Sequence, residues 1–113
     1  MDLGIRGRRA LICASSKGLG KGCAEALAGE GVDLVLNARG AESLEATAAS
    51  IRSAYGVSVE AVAADITTDA GQAAVLEAAG DIDILVTNAG GPPPGLWSDW
   101  GRDDFIAAFD ANL

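Results

Sequence analysis

Short apolar runs ending in Gly- or Ser-rich turns, alternating with longer segments of helix formers, constrain this chain more than any other feature. Arg9-Ala10-Leu11-Ile12-Cys13-Ala14 is the first run and reads as a buried strand. Gly18 to Glu30 then shows helical spacing, with Leu19, Cys23, Ala24 and Leu27 on one face and Gly29 and Gly31 marking its end. Val32 to Ala38, around Leu34-Val35-Leu36, reads as a second strand. Ala41 to Tyr55 reads as a second helix facing inward through Leu44, Ala48 and Ile51 and stopped by Gly56. Val57 to Ala64 is expected to be a third strand, and Thr68 to Ala79 a third helix with Val75 and Leu76 inward. A fourth strand is expected around Asp83-Ile84-Leu85-Val86-Thr87. After the Gly/Pro-rich stretch Gly90 to Gly95, a fourth helix is expected from Gly101 or Arg102, carrying Phe105, Ile106 and Phe109 and still running at Leu113.

Strands apolar on both faces and alternating with helices imply an α/β protein with a parallel sheet covered on both sides. Right-handed crossovers leave few topologies, and a Rossmann-like order of 3-2-1-4 is the leading one. No linker, repeat or low-complexity segment divides the chain, so residues 1–113 are expected to form a single domain. Half of the residues are hydrophobic, enough for a core, and the scarcity of aromatics beside abundant Ala and Gly suits helices packed closely on a sheet.

A net charge of −8 argues against nucleic acid or an anionic membrane as a partner, because phosphate binding needs clustered positive charge. The short run Arg6, Arg8, Arg9 reads as a solvated flank. No apolar run approaches the roughly 20 residues of a membrane span. The opening Met1-Asp2-Leu3-Gly4-Ile5-Arg6 lacks the apolar stretch of a secretion signal. Cys13 and Cys23, without a CxxC and without any histidine, exclude a zinc or redox-pair reading and fit reduced thiols in the cytoplasm.

The segment Ala14-Ser15-Ser16-Lys17-Gly18-Leu19-Gly20 joins the first strand to the first helix. Glycines there let backbone N–H groups approach a pyrophosphate, and the helix N-terminus offers it the positive end of a dipole. A strict GxGxxG does not hold, since the third position is Cys23. The spacing Ala14-xxx-Gly18-x-Gly20 instead resembles the TGxxxGxG signature of the short-chain dehydrogenase/reductases, with Cys13 in place of Thr and Ala14 in place of the first Gly. The extra methyl group of Ala14 is expected to leave the turn intact. The resemblance continues in register. Asp65-Ile66 after the third strand matches the pair whose Asp holds the adenine amino group, Asn88-Ala89-Gly90 matches the NAG motif, and Asn112 falls at the fourth-helix Asn.

Dinucleotide-binding domains that prefer NAD carry an acid at the end of the second strand. Here that place reads Asn37-Ala38-Arg39-Gly40, so nothing repels a 2′-phosphate, Arg39 can pair with one, and Lys17 is a second cation within the glycine loop. The expected cofactor is therefore NADP(H). The resemblance implies a carbonyl/alcohol oxidoreductase acting on a small molecule, usually as a homo-oligomer. The run NAGGPPPG is similar to that of 3-oxoacyl-carrier-protein reductases, and the Gly90–Gly95 loop with Trp97 and Trp100 is a candidate mouth for substrate. Of the family's catalytic Tyr, Lys, Ser and Asn, only Asn112 is present. Tyr55 has Val59 four residues on and reads as a packing residue. With Leu113 inside a helix and no fifth strand, the chain is expected to be the truncated, cofactor-binding part of such an enzyme, inactive alone. The alternative is a non-catalytic nucleotide-binding or interaction fragment stable only as an oligomer or on a partner.

Overall fold

The computed structural model describes residues 1–90 and 94–112. Four strands, β1 (Arg9–Ile12), β2 (Asp33–Ala38), β3 (Val59–Ala63) and β4 (Ile84–Val86), alternate with four helices, α1 (Gly18–Gly29), α2 (Ala41–Tyr55), α3 (Asp69–Ala79) and α4 (Arg102–Asn112). A 3₁₀ turn at Trp97–Asp99 precedes α4. The strands are parallel and ordered β3-β2-β1-β4, as the element order implied. Leu113, where the last helix was expected to continue, and Gly91, Pro92 and Pro93 of the candidate substrate-mouth loop lie outside the described residues.

Alternation along β1 and β2 splits the core in two. Ala10, Ile12, Leu34 and Leu36 meet Ala24 and Ala28 of α1 and Leu44, Ala48 and Ile51 of α2. Leu11 and Val35 point the other way, onto Val75 and Ala79 of α3. The stripe expected on α2 is the one buried, and Gly56 closes that helix in a left-handed conformation with its N–H on the Arg52 carbonyl.

The expected faces of α1 and α3 need correction in part, although Ala24 and Val75 are buried as expected. α1 buries Gly20, Ala24 and Ala28, leaves Leu27 half-buried, and turns Leu19 and Cys23 to solvent. α3 buries Gly71, Val75 and Ala79 and exposes Leu76. In both helices the buried residues recur every fourth position and are small, so the backbone lies close to the sheet. Large side chains beside that seam have no room beneath the helix and point outward.

Strand ends differ from the expected ones by a residue or two. β1 stops at Ile12 because Ala14 turns the chain with φ +50°, although the Cys13 N–H still reaches the Val86 carbonyl at 3.1 Å. Thr68 caps α3 from outside it, its Oγ1 accepting the Gly71 N–H at 3.0 Å.

Candidate cofactor site

The carboxyl ends of all four strands open into one cleft, where open parallel sheets bind ligands. Ala14, Ser16, Lys17, Gly18 and Leu19 of the β1–α1 turn line it. Across from them stand Arg39 after β2, Asp65 and Ile66 after β3, and Asn88, Ala89 and Gly90 after β4. The expected cofactor residues thus converge, except Ser15 and Gly20, which lie beneath the wall. Asn112 faces a neighbouring recess shared with Cys13, Thr87 and Asn88, and its amide donates back to the Ala108 carbonyl at 2.9 Å.

The turn is shaped by backbone contacts. A Cβ on Gly20 would run into the Ala14 carbonyl oxygen and the Ser15 Cα, so the helix can pass over the turn only with glycine there. That same carbonyl accepts a hydrogen bond from Asn88 Nδ2 at 3.3 Å, which ties the end of β4 to the turn. Asn88 also acts on the thiol of Cys13: burial pushes that thiol up, and the Asn88 backbone N–H draws it partly back. Gly18 takes φ +62°, with none of the described residues within 4 Å of the place a Cβ would occupy. Lys17 is the N-cap of α1, and among the described residues no side chain caps that helix, so its first N–H groups are not spent on a side-chain acceptor there.

A buried polar chain holds the strand ends together. Ser15, fully buried, donates its N–H to the Asn37 carbonyl at 2.8 Å and its hydroxyl to the Ile12 carbonyl at 2.9 Å. Its hydroxyl oxygen accepts the Asn37 N–H at 3.1 Å. The Asn37 amide in turn donates to the carbonyls of Val62 and Ala64, at 3.1 and 3.0 Å. One chain of contacts therefore spans the ends of β1, β2 and β3, and Ser15 belongs to it rather than to the cleft surface.

Lys17 and Arg39 form no ion pair among the described residues, whereas Arg8, Arg9, Lys21 and Arg52 each have one. The Asp65 carboxylate is held below the usual aspartate range, first by the Thr67 hydroxyl and N–H, which donate to Oδ1 at 2.6 and 3.0 Å, and further by the charge of Arg39. Cations without ion-pair partners among the described residues and a carboxylate in one cleft suit a ligand that is polyanionic in part and carries donor groups elsewhere.

Asn37, Ser43, Thr67 and Ala111 also line the cleft, and Thr47 supports it from behind; none was singled out from sequence. Thr47 left a signal there, a polar residue inside the apolar stripe Leu44, Ala48, Ile51. Ala111 left none, because only the return of α4 brings it to the cleft.

Residues 8–113 match the family model for short chain dehydrogenase. Gluconate 5-dehydrogenase of Gluconobacter oxydans is 34% identical over 96% of this chain and 44% of its own length. An uncharacterized oxidoreductase of Bacillus subtilis, YvaG, is 32% identical over the whole chain and 43% of its own length. Among solved structures, L-sorbose reductase from Gluconobacter frateurii, complexed with NADPH and L-sorbose, superposes with a TM-score of 0.89 at 36% identity, covering 98% of this chain and 44% of that one. The chain spans less than half the length of these relatives. The family match over residues 8–113, the sheet order and these relatives agree: the chain belongs to the short-chain dehydrogenase family.

Proposed function

We propose that this chain is the NADP(H)-binding part of an oxidoreductase that interconverts a small carbonyl compound and its alcohol. The observation that carries the cofactor choice is the end of β2. Asn37-Ala38-Arg39-Gly40 offers a guanidinium and no carboxylate, and Lys17, the other cation of the cleft lining, stands on the β1–α1 turn. A 2′-phosphate between two cations gains charge-assisted hydrogen bonds that a 2′-hydroxyl does not. The NADPH complex of the Gluconobacter frateurii reductase supports the same choice.

In this reading α1's N-terminus and the turn Ala14–Gly20 hold the pyrophosphate, with Ser15 and Gly20 shaping the turn from below. Asp65 and Ile66 bracket the adenine, and Asn88-Ala89-Gly90 lead the cofactor toward the reacting end. When bound, the nicotinamide supplies the hydride. Reduction of a carbonyl develops an alkoxide that must be protonated, which needs an acid at the substrate. Tyr55 does not serve: it ends α2, whereas the cleft lies at the opposite end of that helix, by Gly40 and Ser43, and its ring packs 3.7 Å from where a Cβ of Gly29 would be. Asn112 is the one candidate catalytic residue here, and the acid/base group belongs to the part of the family pattern that these residues do not contain. We place the whole protein in the cytoplasm as a homo-oligomer. No helix among the described residues is long and apolar enough to cross a membrane.

Arg39→Asp tests the reading. NADPH should bind at least about tenfold more weakly, the value of one lost charge-assisted contact, while NADH binding changes little. Equal losses for both cofactors, titrated by nicotinamide fluorescence, would remove the case for NADP(H).

A further inference from the structure

Thr47 interrupts the apolar face of α2 and is only 6% exposed. A hydroxyl buried there must find a partner, and a helical threonine normally takes the carbonyl one turn back in its own helix. Thr47 does not. Its Oγ1 donates to the carbonyl of Ser16 at 2.7 Å, across 31 positions of sequence. The Ser16 carbonyl and the Lys17 N–H belong to one planar trans peptide unit, so the bond that fixes the first also fixes the second. Lys17 has extended backbone there, with φ −158° and ψ 176°, and no side-chain cap among the described residues to hold it otherwise. The hydroxyl comes from the helix that starts two residues after Arg39. One hydrogen bond thus joins the loop bearing Lys17 to the helix that follows Arg39, and both cations line the cleft without ion-pair partners among the described residues.

We infer that Thr47 is a positioning residue for cofactor choice: it sets the spacing of Lys17 and Arg39 on the 2′-phosphate and so the preference for NADP(H) over NAD(H). This rests on the cofactor reading above. A purely structural Thr47 would serve both cofactors alike, because the pyrophosphate and adenine are common to them.

The experiment compares NADPH and NADH dissociation constants, by nicotinamide fluorescence, in the full chain carrying Thr47→Val, Thr47→Ser, Lys17→Ala and Lys17→Ala with Thr47→Val. Thr47→Val should raise the NADPH constant roughly fivefold more than the NADH constant, the effect of loosening one exposed charge contact. Thr47→Ser, which keeps the hydroxyl, should restore wild-type values. If Thr47→Val does not fold, Thr47→Ser must still retain the preference for NADPH. In the Lys17→Ala background Thr47→Val should change the NADPH-to-NADH preference no further. Equal weakening of both cofactors, or the same added loss without Lys17, would overturn the inference while leaving the cofactor reading standing. A Lys17→Ala protein with an unchanged preference for NADPH would instead remove Lys17 from the cofactor reading, and this inference with it.

Discussion

Ala14 holds φ +50°, a left-handed conformation that costs an L-residue about 1–2 kcal/mol, in a turn where the family pattern has glycine. The turn survives as expected, and the obstruction lies in the backbone angle rather than in crowding by the methyl group. Ala14→Gly should raise stability by about 0.5–1 kcal/mol, the relieved strain less the added freedom of the unfolded chain. Gly20→Ala should do the reverse and cost at least about 2 kcal/mol, since its Cβ meets backbone that no rotamer can move. Urea midpoints at unchanged slope would measure both. The spacing of this turn was legible because glycine at fixed offsets has a conformational cause. The burial of Ser15 was not, because a serine in a turn looks the same in sequence whether its hydroxyl faces a ligand or, as here, the Ile12 carbonyl.

Among the elements, the apolar stripe of α2 could be read because Leu44, Ala48 and Ile51 include the large apolar residues of the helix, whereas the buried Thr47 between them could not. α1 and α3 were read only in part, Ala24 and Val75 correctly but Leu19, Cys23 and Leu76 not, for the opposite reason. Their contacts with the sheet are made by Gly20, Ala24 and Ala28 and by Gly71, Val75 and Ala79, so the heaviest hydrophobics mark the wrong face. Where helices lie this close to a sheet, side-chain size and burial separate. Val75→Ala should therefore cost roughly 2 kcal/mol, since Val75 is fully buried between α3 and the sheet, whereas Leu76→Ala should stay within about 0.5 kcal/mol. Matching losses in chemical denaturation would reject this packing of α3. In α4 no described residue is buried, and Phe105, Ile106 and Phe109 lie open, with Phe105 edge-on to Trp100 at 6.4 Å. Its helical period was visible in sequence, but a helix period does not say what a face meets.

At the scale of the whole molecule the sheet order followed from four apolar runs and the handedness of crossovers, and the cleft followed from the sheet order. The family motifs at Ala14, Asp65 and Asn88 are far apart in sequence and adjacent in space for that single reason. What sequence did not give was the distribution of charge. The Arg9 guanidinium reaches Glu60 and that of Arg8 reaches Asp83 at the start of β1, far from the cleft, and Arg52 reaches Glu45 along α2. Lys17 and Arg39 are left without ion-pair partners among the described residues, on a chain whose net charge is −8. A polyanionic dinucleotide approaching from solvent meets repulsion at distance and attraction only at contact, and salt screens both, since the Debye length shrinks from about 30 Å at 0.01 M to about 10 Å at 0.1 M. Added salt should consequently quicken arrival and departure together. In stopped-flow mixing with NADPH both rate constants are expected to rise across that range while their ratio changes far less, so that ionic strength governs how fast the cleft exchanges its ligand rather than how full it is.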